Sequence, residues 1–414
     1  MATSAQIPDK SHILRMPEFR TIWLAQLVSI FGDFLALFGI ISLITFRLHG
    51  TAVQVTTVTV AYILPLAILG PPMGVLVDHL DTRKTMIASD VVRGLLVLLL
   101  LFTRNVTQIS MVMFAISVVS CFFIPAQSVT IRTLIPKERL LQANAILSQA
   151  FYLIRIASPL VAGALVAWLS ERATFYLDAA SFFTSALLIS RLSFTRPPRE
   201  GADKTLGGFS RDFIEGNRFI FTHPGLSFVF IAMAAAMFVL SSFSPLVSIF
   251  VRDELRAGAM MFGIVSGMVG VGLIVGTSLI MKIAGNRPQP RIVLLGLILS
   301  GAATSVLGIS YFGWEAGLSM FLLGFAVSLV LIPAQTMSQQ ETPPEMVGRV
   351  SSTFMSMISI AQILGLLLSG TLAQRLGMRH LFFGCSGFLA VITVIGWLYL
   401  RGRDTTPAPL PANT

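Results

Sequence analysis

Twelve long apolar stretches run through this chain, and they limit its fold more than any other feature. A helix needs about 20 predominantly apolar residues to cross a hydrocarbon core of about 30 Å. Only 12% of the residues are charged, which is too few to cover a water-soluble surface, where about 25% is usual. The sequence therefore predicts an all-α membrane protein with twelve transmembrane helices, at residues 21–46, 54–77, 84–103, 105–131, 141–169, 174–193, 226–251, 257–281, 292–314, 316–340, 350–374 and 381–400.

The arginines and lysines between these stretches predict the orientation in the membrane. Segments on the same side as the N-terminus contain far more of them than the opposite segments do. Because excess Lys and Arg mark the cytoplasmic side, we expect both termini to be cytoplasmic. The net charge of +10 is accounted for by these loops, so we expect no nucleic-acid partner. A compact chain of this kind is expected to be a multi-pass protein of a bacterial inner membrane.

The two halves of the chain resemble each other. The segment FIPAQ at 123–127 recurs as LIPAQ at 331–335, half a chain length later, and Pro136 recurs in register as Pro344. Two six-helix repeats in the same orientation are typical of secondary transporters, whose substrate site lies between the halves near the midplane. The predicted parts are a first half at 1–193, a cytoplasmic linker at 194–225, a second half at 226–400 and a cytoplasmic tail at 401–414.

Charged residues inside the predicted helices are candidates for function. Each costs about 2.5–3.5 kcal/mol to insert at the bilayer centre, so it usually faces a partner or water. Asp33 and Arg155 lie at comparable depths in the first and fifth helices. Two interpretations remain open for them: Asp33 carries a proton or cation, with Arg155 nearby, or the two form a permanent ion pair that joins their helices.

Three further charges fall in the same half. Asp90 and Arg93 are three residues apart on one helix face, which predicts a local supporting pair. Asp178 lies about a turn from the outer end of the sixth helix, and we expect it to reach water and to pack locally. The matching positions of the second half carry none of these charges. Any proton chemistry is therefore expected in the first half.

The loop after the second helix contains a motif. Gly74, Asp78, Arg83 and Lys84 match the pattern G-x-x-x-D-x-x-x-x-R-[RK], which resembles the signature loop of the major facilitator superfamily. Glycine permits close helix approach, and a carboxylate is stabilised at a helix N-terminus. We expect Asp78 to dock at the start of the eleventh helix and close the cytoplasmic side. Arg83 and Lys84 either strengthen this gate or only follow the charge bias of the loops.

The first helix, with Gln26 and Asp33, and the two IPAQ segments are similar to those of the drug:proton antiporter family that includes macrolide efflux proteins. This resemblance covers about residues 18–400. It implies alternating-access export of amphipathic organic compounds, macrolide- or drug-like, in exchange for protons, with Asp33, Arg155 and Gln26 as polar groups of an apolar cavity. Lysophospholipid and siderophore transporters share much of the pattern and stay open as alternatives.

Enzymatic activity is not expected. The chain has no ATP-binding P-loop, no H-E-x-x-H and no G-x-S-x-G. Its two cysteines lack metal-site spacing, and its five histidines lie at or outside the ends of the predicted helices. We therefore expect no catalytic residue, no metal and no cofactor, with the proton gradient as the energy source. The expected partners are a small organic substrate, protons and the lipid bilayer, and the protein is expected to be a monomer.

Overall fold

The computed structural model describes residues 13–77, 80–136, 139–192, 217–283, 289–343 and 346–401. These residues form helices and no strand. Twelve of the helices in these described residues are long and apolar enough to cross a membrane, as the sequence predicts. Their bounds are α1 Pro17–Ser42, α2 Ala52–Val77, α3 Thr82–Leu99, α4 Val106–Leu134, α5 Leu140–Trp168, α6 Glu171–Ser190, α7 Pro224–Phe243, α8 Ala259–Ile283, α9 Gln289–Ile309, α10 Gly313–Gln340, α11 Val347–Leu376 and α12 Met378–Leu400.

Two of the spans change helix type along their length. The first span continues from α1 through a π-helical turn, Leu43–Arg47. The seventh is interrupted after α7 by a 3-10 turn, Ser244–Leu246, and resumes as a short helix, Val247–Asp253. Pro245 lies in that turn and cannot donate a backbone hydrogen bond, which accounts for the interruption. The sequence predicted an unbroken helix there.

Other prolines do not end their helices. Pro125 lies inside α4, Pro159 inside α5 and Pro333 inside α10. Neighbouring helices stabilise membrane-spanning segments enough for such positions to be tolerated. Both IPAQ segments are therefore helical, each in the last third of its span.

The described residues form two compact units. The first contains the residues up to His49 and those from Ala61 to Leu192, and the second contains Gly50–Val60 and the residues from Asn217 onwards. The two ends of α2 thus belong to different units. In the second unit, the first part of α2 lies against α11, where a Cβ on Gly370 would be 2.1 Å from Thr56 Oγ1.

The helix pairing inside the first unit recurs inside the second. In the first, α1 packs on α5 and α6, and α3 packs on α4 and α6. In the second, α7 packs on α11 and α12, and α9 packs on α10 and α12. The internal repeat seen in the sequence is therefore a repeat of structure, and α3–α6 in one unit is equivalent to α9–α12 in the other.

Candidate functional site

Packing of α1, α3 and α6 in the first unit brings four charged side chains together. α1 supplies Asp33, α3 supplies Asp90 and Arg93, and α6 supplies Asp178. The guanidinium of Arg93 lies between the acids: it donates a hydrogen bond to Asp90 Oδ1, and its Nη1 is 3.9 Å from Asp33 Oδ2. We call Asp33, Asp90, Arg93 and Asp178 the charged cluster.

Asp90 and Arg93 form the local pair that their spacing predicts. Asp90 is 0% exposed, and besides Arg93 it accepts a hydrogen bond of 2.7 Å from Ser185 Oγ on α6. Arg93 is 4% exposed. Its guanidinium carbon lies 4.3 Å from the ring centroids of both Phe123 and Phe182. Cations are attracted to aromatic faces, so the two rings and Asp90 hold this charge in one place.

Asp33 is the most accessible member of the charged cluster, with 26% of its side chain exposed. It lines a small cavity together with Tyr62 and Asp178. The rest of the wall is apolar and comes from α1, α3, α4 and the turn after α3. Asp33 therefore combines a loose ion pair with a position in the wall of a cavity.

Asp178 is more deeply buried than the sequence predicted. It is 1% exposed, so the expectation that it reaches water is wrong. The reason is close packing between α6 and α1, because a Cβ on Gly32 would be 2.5 Å from Asp178 Oδ1 and 2.1 Å from Ser181 Oγ. A glycine at position 32 thus lets Asp178 lie against the backbone next to Asp33. Within its own helix Asp178 accepts a hydrogen bond from Ser181 Oγ at 3.3 Å.

The basic residue paired with Asp33 is Arg93, rather than Arg155 as their depths suggested. Arg155 lies on an exposed face of α5. Depth along a helix places a residue relative to the membrane, but it does not fix the face on which the side chain lies. Gln26 lies two turns before Asp33 on α1, and its Oε1 is buried without a hydrogen-bond donor among the described residues.

The motif loop is described in part. Gly74 lies in the last turns of α2, whereas Asp78 lies outside the described residues, as does its predicted contact with α11. Arg83 donates a hydrogen bond to Ser190 O at the end of α6, and the side chain of Lys84 is 85% exposed. Asp81, which the sequence analysis did not select, caps α3 by accepting a hydrogen bond from Lys84 N at 3.1 Å.

Comparison with known families gives one match across the chain. The family model described as Major Facilitator Superfamily matches residues 22–365 and 291–414. Among curated proteins, the MFS-type transporter YfiS of Bacillus subtilis (strain 168) is 27% identical over 390 residues, which is 91% of each chain. Macrolide efflux protein A of Streptococcus pyogenes is 26% identical over 91% of this chain and 94% of its own. Multidrug resistance protein MdtG of Citrobacter koseri is 23% identical, covering 83% and 84%.

Solved structures show the same fold. A bacterial homologue of the human lysosomal transporter Spinster, inward-facing and unoccupied, superposes with a TM-score of 0.71 at 14% identity, over 99% of this chain and all of that one. The nucleoside transporter NupG gives a TM-score of 0.75 at 11% identity, over 94% of this chain and 100% of its own. At these identities the likeness concerns architecture alone.

Proposed function

Because the chain belongs to the major facilitator superfamily and is a multi-pass bacterial membrane transporter, not an enzyme, we propose that it exports amphipathic organic compounds in exchange for protons. Relatives named for macrolide efflux and multidrug resistance support a drug-type substrate. The observation that supports proton exchange is the charged cluster in the first unit, which holds three carboxyls and one guanidinium.

A permanently ionised group that only joins helices is the competing explanation for this cluster. The equivalent helices of the second unit argue against this explanation, because no such group among the described residues joins them in the middle of the pair. Their interface, α9–α12, is joined by hydroxyl groups: Ser305 Oγ donates to Ser386 Oγ, which donates to Gly301 O, both at 2.8 Å. The middle of this helix pair is therefore joined without charge, and its charged contact, from Arg379, lies at the start of α12. A charged cluster in the middle of α3–α6 is thus costly to bury and is not required for packing of this kind.

In the proposed cycle Asp33 takes up a proton from the outer side and releases it to the cytoplasm. The distance of 3.9 Å between Asp33 Oδ2 and Arg93 Nη1 is compatible with both the ionised and the neutral form of Asp33. The carboxylate has a counter-ion nearby, and the neutral acid loses no tight hydrogen bond to that group. Gln26 and Arg155 are proposed as polar contacts for the substrate. Proton and substrate then occupy the first unit in turn, which couples their opposite movements.

The motif loop is proposed as the cytoplasmic gate. Gly74, Asp78, Arg83 and Lys84 retain the roles that the sequence predicts, with Asp78 docking at the N-terminus of α11. The bond from Arg83 to the end of α6 supports this, because it fastens the start of α3 to the helix that carries Asp178. Replacing Asp78 with Asn is expected to slow transport while leaving substrate binding in place, which separate binding and flux assays would distinguish.

Uptake into inverted membrane vesicles tests the function. Vesicles containing the intact protein should accumulate a fluorescent dye or a labelled macrolide only when an imposed pH gradient is present. Asp33→Asn should abolish this uptake. Asp253→Asn serves as the matched control, because Asp253 is a half-exposed aspartate that pairs with Arg252 in the second unit.

Three results would contradict parts of the proposal. Uptake that ignores the pH gradient would exclude proton exchange, and gradient-driven uptake by Asp33→Asn would exclude Asp33 as the carrier. A folded protein that accumulates none of these compounds would favour a lysophospholipid or siderophore substrate, which the same vesicles can be given next.

A further inference from the structure

We propose that Asp178 is a second proton-holding carboxyl, which shares the cavity beside Gly32 with Asp33. This inference rests on the proposed proton exchange and extends it to a residue on another helix. It depends on the charge balance of the cluster, on the close approach of α6 to α1 and on the cavity that the two acids line.

The charge balance leaves Asp178 without a counter-ion. Asp90 accepts the direct hydrogen bond of Arg93 and so neutralises the one guanidinium of the cluster. Asp33 has the looser contact with the same group, at 3.9 Å. Among the described residues Asp178 forms no ion pair, and its side chain accepts a hydrogen bond from Ser181 on its own helix. An ionised carboxylate that is 1% exposed and unpaired is strongly disfavoured in a membrane interior. Asp178 therefore holds a proton in this arrangement.

The helices packed around Asp178 contain several other titratable and charged groups. α1 contributes Asp33, α2 contributes Tyr62, and α3 contributes Asp90 and Arg93. The charged residue in the middle of α5 is Arg155, on an exposed face. Near the outer end of α6, Glu171 pairs with Arg47 at 3.7 Å. No described helix thus brings a second cation to the cluster, and three carboxyls share one positive charge.

The geometry places the two candidate proton sites side by side. Asp178 Oδ1 lies against the backbone of Gly32, and Asp33 is the next residue. Both line the same cavity, and Tyr62 lines it with them. A phenol can donate and accept hydrogen bonds, so it can pass a proton between neighbouring carboxyls.

The cluster can also accommodate the loss of a proton. Arg93 is 4% exposed, and its Nε is buried without an acceptor among the described residues. Its two aromatic neighbours fix the guanidinium in position. When a proton leaves Asp33, a fixed donor is therefore available to the new carboxylate, while Asp178 keeps its own proton until later in the cycle.

Infrared spectroscopy of the full-length protein in lipid tests this directly. A protonated carboxyl has a C=O band that an ionised carboxylate lacks, and it shifts in heavy water. At neutral pH we expect this band in the intact protein, its partial loss in Asp178→Asn and its presence at a shifted position in Asp178→Glu. Asp253→Asn, the exposed control, should leave it unchanged. A band of full intensity in folded Asp178→Asn would overturn the inference.

A transport measurement separates this inference from the function on which it rests. In vesicles, uptake by the intact protein should depend more steeply on proton concentration than uptake by Asp178→Asn. Equal steepness in the intact protein and Asp178→Asn would overturn a coupling role for Asp178. If no variant responds to the gradient, the proposed exchange fails, and the infrared band still decides whether Asp178 holds a proton. If Asp178→Asn does not fold, the same measurements are made on Asp178→Glu.

Discussion

Asp178 on α6 lies directly against Gly32 on α1, where a Cβ would come within 2.5 Å of its Oδ1. This contact brings together two carboxyls that are far apart in the sequence, because Asp33 follows Gly32. It also explains why one acid of the cluster is buried although it is near a helix end. The arrangement of the cluster therefore depends on a residue that has no side chain.

Replacing Gly32 with Ala should destabilise the first unit. The new methyl group would overlap Ser181 Oγ and Asp178 Oδ1, so α6 must move away from α1. Overpacking of this kind costs about 1–3 kcal/mol. Thermal unfolding of the purified protein measures the effect. Gly387→Ala is the control, since a Cβ there meets nothing within 4 Å. Equal unfolding temperatures for the two variants would contradict the close approach.

Replacing Arg93 with Lys should impair the protein although the charge is kept. An ammonium group lacks the planar surface that stacks between Phe123 and Phe182, and a desolvated contact of this kind is worth about 2 kcal/mol. We expect a lower unfolding temperature and slower gradient-driven uptake. Arg401→Lys provides a comparison, because Arg401 stacks on one ring only, that of Trp397. A normal uptake rate in Arg93→Lys would show that the fixed position of the charge is unimportant.

Arg379 should be a sensitive position at the start of α12 in the second unit. It donates to Glu254 Oε2 at 2.8 Å, to Gly308 O at 2.8 Å and to Ser310 O at 3.0 Å. Its loss leaves these acceptors unpaired, at about 1–3 kcal/mol for each that stays buried. Arg379→Ala should therefore lower the unfolding temperature clearly, and Arg375→Ala, at a nearby exposed position, should change stability by no more than about 0.5 kcal/mol.

Glu341, at the end of α10, should make the stability of the protein depend on pH. Glu341 lies just beyond the span, near Gly225 at the start of α7. Burial raises the pKa of Glu341 above its usual range, and the nearby His223 partly opposes this. The folded state therefore binds this proton more tightly than the unfolded state does, so its contribution to stability is complete at low pH and is lost as pH rises through the raised pKa.

Glu341→Gln measures that contribution, because the amide does not ionise. Compared with the intact protein, the variant should have a similar unfolding free energy below about pH 4 and a higher one near about pH 8. The difference is read from denaturation curves at several pH values. A difference that stays constant across this range would contradict the effect of burial on Glu341.

The sequence predicted what depends on composition and on spacing within one helix. Twelve spans follow from apolar length, and the Asp90–Arg93 pair follows from a separation that places both on one helix face. Contacts between helices were harder to predict from the sequence. The partner of Asp33 and the burial of Asp178 depend on how α1, α3 and α6 are rotated and how closely they approach. Gly32 sets that approach, but a single glycine in an apolar helix does not identify its neighbour.

The hydroxyl contacts in the middle of the α9–α12 interface have a consequence for how such a transporter can change over time. They tolerate substitutions that a buried ion cannot, because losing one neutral hydrogen bond costs less than leaving a charge unpaired. We therefore expect substitutions to be tolerated more readily at these positions of the second unit than in the charged cluster. In laboratory selection for resistance to a new compound, adaptive substitutions should accumulate there, while the charged cluster of the first unit stays unaltered.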